Sequence, residues 1–186
     1  MDTISLILHV TAAVVFVGPQ VLMLFAVVPA SWLIDDEEMR RRVVGVVARR
    51  FGMIAAGSLV LLLITGLYQY VAVVPPAIFD APGRADGPSF NAIFFVKMML
   101  VATLVALIFV HTFRYSRRIG ALSDEVIALE RDPSPARREE GRRRAAELER
   151  QRWRSFTFSA GILVMSLITL WFGVALSQEI TAWALR

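Results

Sequence analysis

The sequence predicts an all-α integral membrane protein: a four-helix bundle with both termini non-cytoplasmic and a charged cytoplasmic helical segment between helices 3 and 4. Three observations predict it. The chain has 186 residues, 56% of them hydrophobic, and a mean hydropathy of +0.59, against about 45–50% apolar residues in a typical soluble domain. Those residues gather into four blocks near the roughly 20 residues that cross a ~30 Å hydrocarbon core. Lysine and arginine crowd the connections on one side only. One bundle fits this length, so residues 1–186 are read as a single transmembrane domain.

The first span covers about residues 4–34, which at ~1.5 Å per residue is ~45 Å, more than a bilayer requires. Gly18-Pro19 sits in its middle, and the proline removes a donor and crowds the carbonyl of Val15, which predicts a kink. Gln20 is placed to bond a freed backbone group there. The block is too long for a secretory h-region, and Met1-Asp2-Thr3 offers no basic n-region, so a cleaved signal is not expected. The second span, 51–74, stops at Pro75-Pro76, and a Pro-, Gly- and Asp-rich external loop is expected through Asn91. The third span covers 92–113 and the fourth 156–176, with Trp183 as an interfacial anchor.

Orientation follows from the positive-inside rule. Arg40, Arg41, Arg42, Arg49 and Arg50 follow the first span, and twelve arginines lie in residues 114–154. Arg84 and Arg186 alone serve the other side, so the count is seventeen against two. The 114–154 connection also carries eight acidic residues. Ser134-Pro135 reads as an N-cap followed by proline at the first helical position, and Glu139/Arg143 and Glu140/Arg144 as i,i+4 pairs. A charged helix running into the fourth span is expected. Either it is self-paired and solvated, or Arg142, Arg143 and Arg144 meet anionic headgroups or a partner subunit.

Residues 49–68 align without gaps on 153–172, matching at eight of twenty positions, including Ala56-Gly57/Ala160-Gly161 and Leu63-Ile64-Thr65/Leu167-Ile168-Thr169. The second and fourth helices are expected to hold equivalent places in two helix pairs, with the Ala-Gly steps bringing backbones close.

The pI of about 10.3 reflects topology, and nucleic acid is not expected as a partner. The partners expected are the lipid bilayer and other membrane subunits or a second copy. The chain has no cysteine, which excludes disulfides and thiolate sites. No Asp or Glu lies inside a span, and no Ser/His/Asp set, phosphate loop or HExxH motif is present, so no catalytic residues are assigned. Ionisable residues within spans are the default functional candidates. They are His9, Lys97 and His111. His9 and Lys97 each lie about five residues past the start of a span, ~7 Å deep on co-directional helices. His111 falls ~20 Å away along the normal, so the two histidines cannot sandwich one haem iron. A site near the outer leaflet would use His9 with Lys97, Met98 or Met99, while Tyr68 and Tyr70 share that depth and could bond the imidazole. The bland alternatives are a snorkelling Lys97, an interfacial His111 and a His9 bonded to a neighbouring helix.

These residues resemble a family of small bacterial membrane proteins that includes the copper-resistance CopD domain and the HemJ-type protoporphyrinogen oxidases. The resemblance covers the first three helices: Leu8-His9 and Gly18 in the first, Arg50-Phe51 and Thr65-Gly66-Leu67 bounding the second, and Lys97 early in the third. It implies a four- or five-helix bundle in a bacterial cytoplasmic membrane, with His9 and Lys97 in the positions associated with haem and activity. Gly18-Pro19-Gln20 departs from the Leu-Pro-Arg of the HemJ-type branch. The cofactor is thus open, with haem b, a related tetrapyrrole or a metal as candidates. A reading of another class is a non-catalytic accessory subunit of a respiratory or photosynthetic membrane complex.

Overall fold

The computed structural model describes residues 3–74, 78, 89–132 and 134–184. The Pro75-Pro76 stop, Arg84 and most of the predicted external loop, and Arg186 lie outside these residues, and the side chain of Trp183 is not among those described. Among the described residues the fold is helical almost throughout, with four long helices: α1 Thr3–Ser31, α2 Glu37–Ala72, α3 Phe90–Glu130 and α4 Pro135–Ala184. All four are long and apolar enough to cross a membrane. Only 11–22% of their most apolar windows is buried. Phe25, Phe95, Phe109 and Trp171 are each more than 60% exposed. A water-soluble surface does not tolerate that much exposed apolar area, so by length, composition and exposure the chain suits a multi-pass membrane protein.

The helices outrun the spans read from hydropathy. Helix α2 starts at Glu37 because the Asp36 carboxylate caps it, accepting from the Met39 amide at 2.8 Å, and because Glu37 and Glu38 occupy its positive first turn. Ser89 opens α3, its carbonyl accepting from the Ile93 amide at 3.2 Å. The expected cap at Ser134 is met through its carbonyl, which accepts from the Arg138 amide at 3.0 Å. From there α4 runs fifty residues without a break, ~75 Å at 1.5 Å per residue. The 114–154 connection is therefore not one helix. It is the end of α3 and the start of α4, joined by a turn at 131–134.

Each of the first three long helices carries a π-helical stretch, at Met23–Val27, Gln69–Val73 and His111–Ser116. Pro19 stays inside the α-helical part of α1, and the departure from α geometry comes one turn later. Such insertions bend helices and re-aim side chains.

The chain forms two compact units: Met1–Pro19 with Met53–Val105 and Val164–Arg186, and Gln20–Gly52 with Ala106–Leu163. Each contains parts of all four long helices. The first has an apolar core of Ile78, Phe90, Ile93 and Leu176. Tyr70 stacks on Phe94 there, with centroids 4.6 Å apart.

The second unit packs Leu122 and Val126 of α3 against Leu148 of α4. Beside this core Glu37 is 7% exposed. Its carboxylate accepts from Ser123 Oγ at 2.5 Å and from Arg152 Nη2 at 2.6 Å. Glu149 Oε1 in turn accepts from Arg152 and Arg40, each at 2.7 Å, and Arg40 Nε donates to the Ser31 carbonyl at 2.8 Å. One network thus ties the end of α1 and the start of α2 to α3 and α4.

Of the expected helical pairs, Glu139 does meet Arg143, at 3.4 Å. Glu140 instead pairs with Arg137 at 3.6 Å, because Arg144 turns to Glu147 at 3.1 Å and Glu125 at 3.4 Å. The expected close approach at the Ala-Gly steps is overturned: a Cβ added at Gly57 or Gly161 meets open space. The glycines in contact are Gly66, Gly173 and Gly141.

Breaking a buried ion network by removing one member leaves the rest uncompensated, at about 3–5 kcal/mol. Glu37→Ala is expected to destabilise the chain by that amount, and Leu148→Ala by about 2–5 kcal/mol, both measurable by denaturant unfolding in detergent. The hydrogen bond from Arg118, reinforced by Arg144, holds the Glu147 carboxyl below its ordinary value of 4.5. A depressed carboxylate stabilises fully above its unfolded value and loses that contribution as pH falls through the folded one. The unfolding midpoint is therefore expected to fall on acidification below 4.5, with a shallower slope in Glu147→Gln.

Candidate functional site

Helices α1 and α2 of the first unit are joined by two polar rungs. Ser5 and His9 lie four apart on α1, and Thr65 and Gln69 four apart on α2, so each pair shares a helix face. Gln69 Nε2 donates to the Ser5 carbonyl at 3.1 Å. It also lies 3.3 Å from the Ser5 hydroxyl oxygen. One turn on, His9 Nδ1 lies 2.8 Å from Thr65 Oγ1.

The direction of that second bond follows from counting protons. A threonine hydroxyl has a single proton. Thr65 gives its own to the Leu61 carbonyl at 2.7 Å, four residues back on the same helix. Toward His9 the oxygen can then only accept, so Nδ1 carries the imidazole proton. Nε2 keeps its lone pair. This is how a ligating histidine is oriented by a second group, which fixes the tautomer and raises the basicity of the other nitrogen. Gly66 lies against the ring: a Cβ there would stand 3.4 Å from His9 Cε1, in ordinary van der Waals contact.

Lys97 of α3 is half-buried. Its ammonium lies along α4 at Gly173, where an added Cβ would be 3.5 Å from Nζ. His9 and Lys97 both belong to the first unit, His9 against Gly66 of α2 and Lys97 against Gly173 of α4. Met98 and Met99 are 40% and 50% exposed on other faces of α3. The aromatic partner expected for His9 is also replaced. Thr65 bonds the ring, Tyr70 is stacked on Phe94, and Tyr68 is 47% exposed.

His111 belongs to the second unit and is half-buried. Its Nε2 lies 3.0 Å from both Ser155 Oγ and Ser159 Oγ. The ring packs in a cluster with Tyr115 and Phe158, at 6.0 and 6.1 Å, and those two rings are 5.0 Å from each other. The nitrogen that could face a ligand is occupied by two serines of α4, which makes His111 a helix-packing residue. Of the three arginines expected to contact lipid or a partner, Arg143 and Arg144 bond carboxylates of this chain, and Arg142 is exposed.

Ser5, Thr65 and Gln69 escaped a search restricted to ionisable groups. A signal existed: a polar pair four apart in an otherwise apolar span, including the Thr65-Gly66 of the resemblance. No protein-family model, curated protein or solved structure matches this chain. Function must be read from the residues.

Thr65→Val keeps the shape and removes the acceptor. Nitrogen-15 NMR of labelled histidine is expected to show His9 protonated at Nδ1 and bare at Nε2 in the parent chain, and to lose that pure tautomer in the variant. An Nε2-protonated parent would reverse the bond assigned to Thr65.

Proposed function

We propose that this chain is a CopD/HemJ-like protein of the bacterial cytoplasmic membrane that binds haem, or a related metal tetrapyrrole, through His9 with Lys97 assisting. The observation that carries the reading is the Thr65 clamp on His9 Nδ1, which leaves Nε2 as an oriented, unoccupied donor in the unit that also holds the half-buried Lys97. Both termini face the non-cytoplasmic side in this reading, by the seventeen-to-two arginine asymmetry, and the site then lies near the outer leaflet.

The donor set supports a macrocyclic ligand over a bare ion. Among the described residues no three His, Cys, Asp or Glu side chains come together to hold a metal, and a bare divalent ion needs several such groups. A metal already held by four porphyrin nitrogens asks the protein for one axial ligand or two. His9 can supply one. Lys97 offers a cation to a carboxylate on the macrocycle edge, and both residues are held by α2 or α4 rather than by a loop. A bound haem would supply one-electron redox chemistry.

Haem added to purified protein in mild detergent is expected to produce a Soret band, absent in His9→Ala. Thr65→Val should bind about 10–100-fold more weakly, the usual penalty for losing a group that orients a metal ligand. A parent chain with no Soret band on isolation or on haem addition sinks the reading.

A further inference from the structure

The arginines of the second unit sit in different chemical environments. Arg40, Arg118, Arg131 and Arg152 are bonded to carboxylates of this chain at 2.6–2.7 Å. A second set comes as one pair on each of three helices: Arg49 and Arg50 on α2, Arg114 and Arg117 on α3, Arg150 and Arg154 on α4. All six are exposed and make no ion pair with another described residue. The sequence around them explains why. No Asp or Glu occurs in residues 39–74, 89–123 or 150–178, so these arginines lie in acid-free segments, Arg150 at the very edge of one, and Glu149, the neighbour of Arg150, is taken by Arg40 and Arg152.

The set also lies where each helix turns from charged to apolar. Arg50 immediately precedes Phe51, Arg114 follows Phe113, and Arg154 comes two residues before Phe156. Arg117 stands 4.9 Å over the Phe113 ring. Trp153, next to Arg154, lies 5.1 Å from Trp32 and 5.7 Å from Phe156. Tyr115, between Arg114 and Arg117, lies 5.0 Å from Phe158. Aromatic rings of this kind mark the headgroup level of a bilayer. A guanidinium there can lay its stem along apolar surface and offer its planar fork to a phosphate.

We propose that Arg49, Arg50, Arg114, Arg117, Arg150 and Arg154 form a belt that selects anionic phospholipids, whose phosphates supply the counter-charge the chain withholds at this level. Most arginines farther out do not share this role, because carboxylates of α2, α3 and α4 already neutralise them, and Arg138 and Arg142, which make no such pair, lie well before the aromatic level of α4. The inference is independent of any ligand at His9. It also differs from simple topogenic charge, which sets orientation during insertion but requires no preference among headgroups in the finished protein.

The test uses the full chain in nanodiscs of equal phosphatidylglycerol and phosphatidylcholine, with retained lipids counted by native mass spectrometry. The parent chain is expected to retain phosphatidylglycerol in clear excess. Each arginine removed should lower that preference by up to about fivefold at low salt, so a variant with Arg114, Arg117, Arg150 and Arg154 all changed to Gln should lose most of it. Changing the same four to Lys keeps the charge and should keep most of the preference, which separates loss of charge from loss of fold. Arg138→Gln with Arg142→Gln, two exposed arginines farther from the apolar boundary, should change nothing. A parent chain that retains the two lipids in the bulk ratio overturns the proposal, as does a preference that survives the four Gln substitutions. So does unchanged lipid selectivity with a salt-labile acidic protein found bound at the belt.

Discussion

The constraint on which this molecule depends is the lack of water along its apolar helices. A polar group there must find its partner inside the protein, and a group with one proton can satisfy only one acceptor. The backbone answers by becoming helical almost everywhere described. The side chains answer in pairs across helix contacts: Gln69 on Ser5, His9 on Thr65, His111 on two serines. Thr65 is the instructive case. Bonding its own helix at Leu61 commits its only proton, and that local choice decides which nitrogen of a residue on another helix stays free.

The same economy of partners distinguishes the two histidines. Both are half-buried, and both meet hydroxyls on the next helix. His111 meets them with Nε2 and is used up in packing. His9 meets its hydroxyl with Nδ1, so its outer nitrogen remains available. Residue type and depth do not separate the two readings. The identity of the bonded nitrogen does.

In the second unit, charge is managed by the same rule at higher stakes. Glu37 is a carboxylate withdrawn from water, and such a group persists only with hydrogen bonds and an opposite charge around it. Ser123 and Arg152 provide them, and Glu149 and Arg40 extend the network to the end of α1. The pairing of acids with arginines is therefore not merely surface solvation, which exposed pairs such as Glu139 and Arg143 illustrate. It leaves the rim of arginines at the apolar boundary without a carboxylate partner among the described residues.

The sequence by itself determined four apolar helices, a fourth helix continuous with a charged extension from Pro135, and a one-sided distribution of arginine. These depend on properties summed along the chain, namely hydropathy over about twenty residues, the capping residue before a helix, and counts of charge between spans. Only the tertiary structure decided which side chains meet. When nearly every face of a helix is apolar, composition does not specify how the helix is turned about its axis, and each residue advances that turn by about 100°. The rotation put Thr65 rather than a tyrosine on His9, turned Met98 and Met99 outward, seated Lys97 on Gly173, and left Gly57 and Gly161 facing open space. It also closed the α3–α4 hairpin over Leu122, Val126 and Leu148, whose helical spacing could be read in the chain but whose burial needed the facing helix.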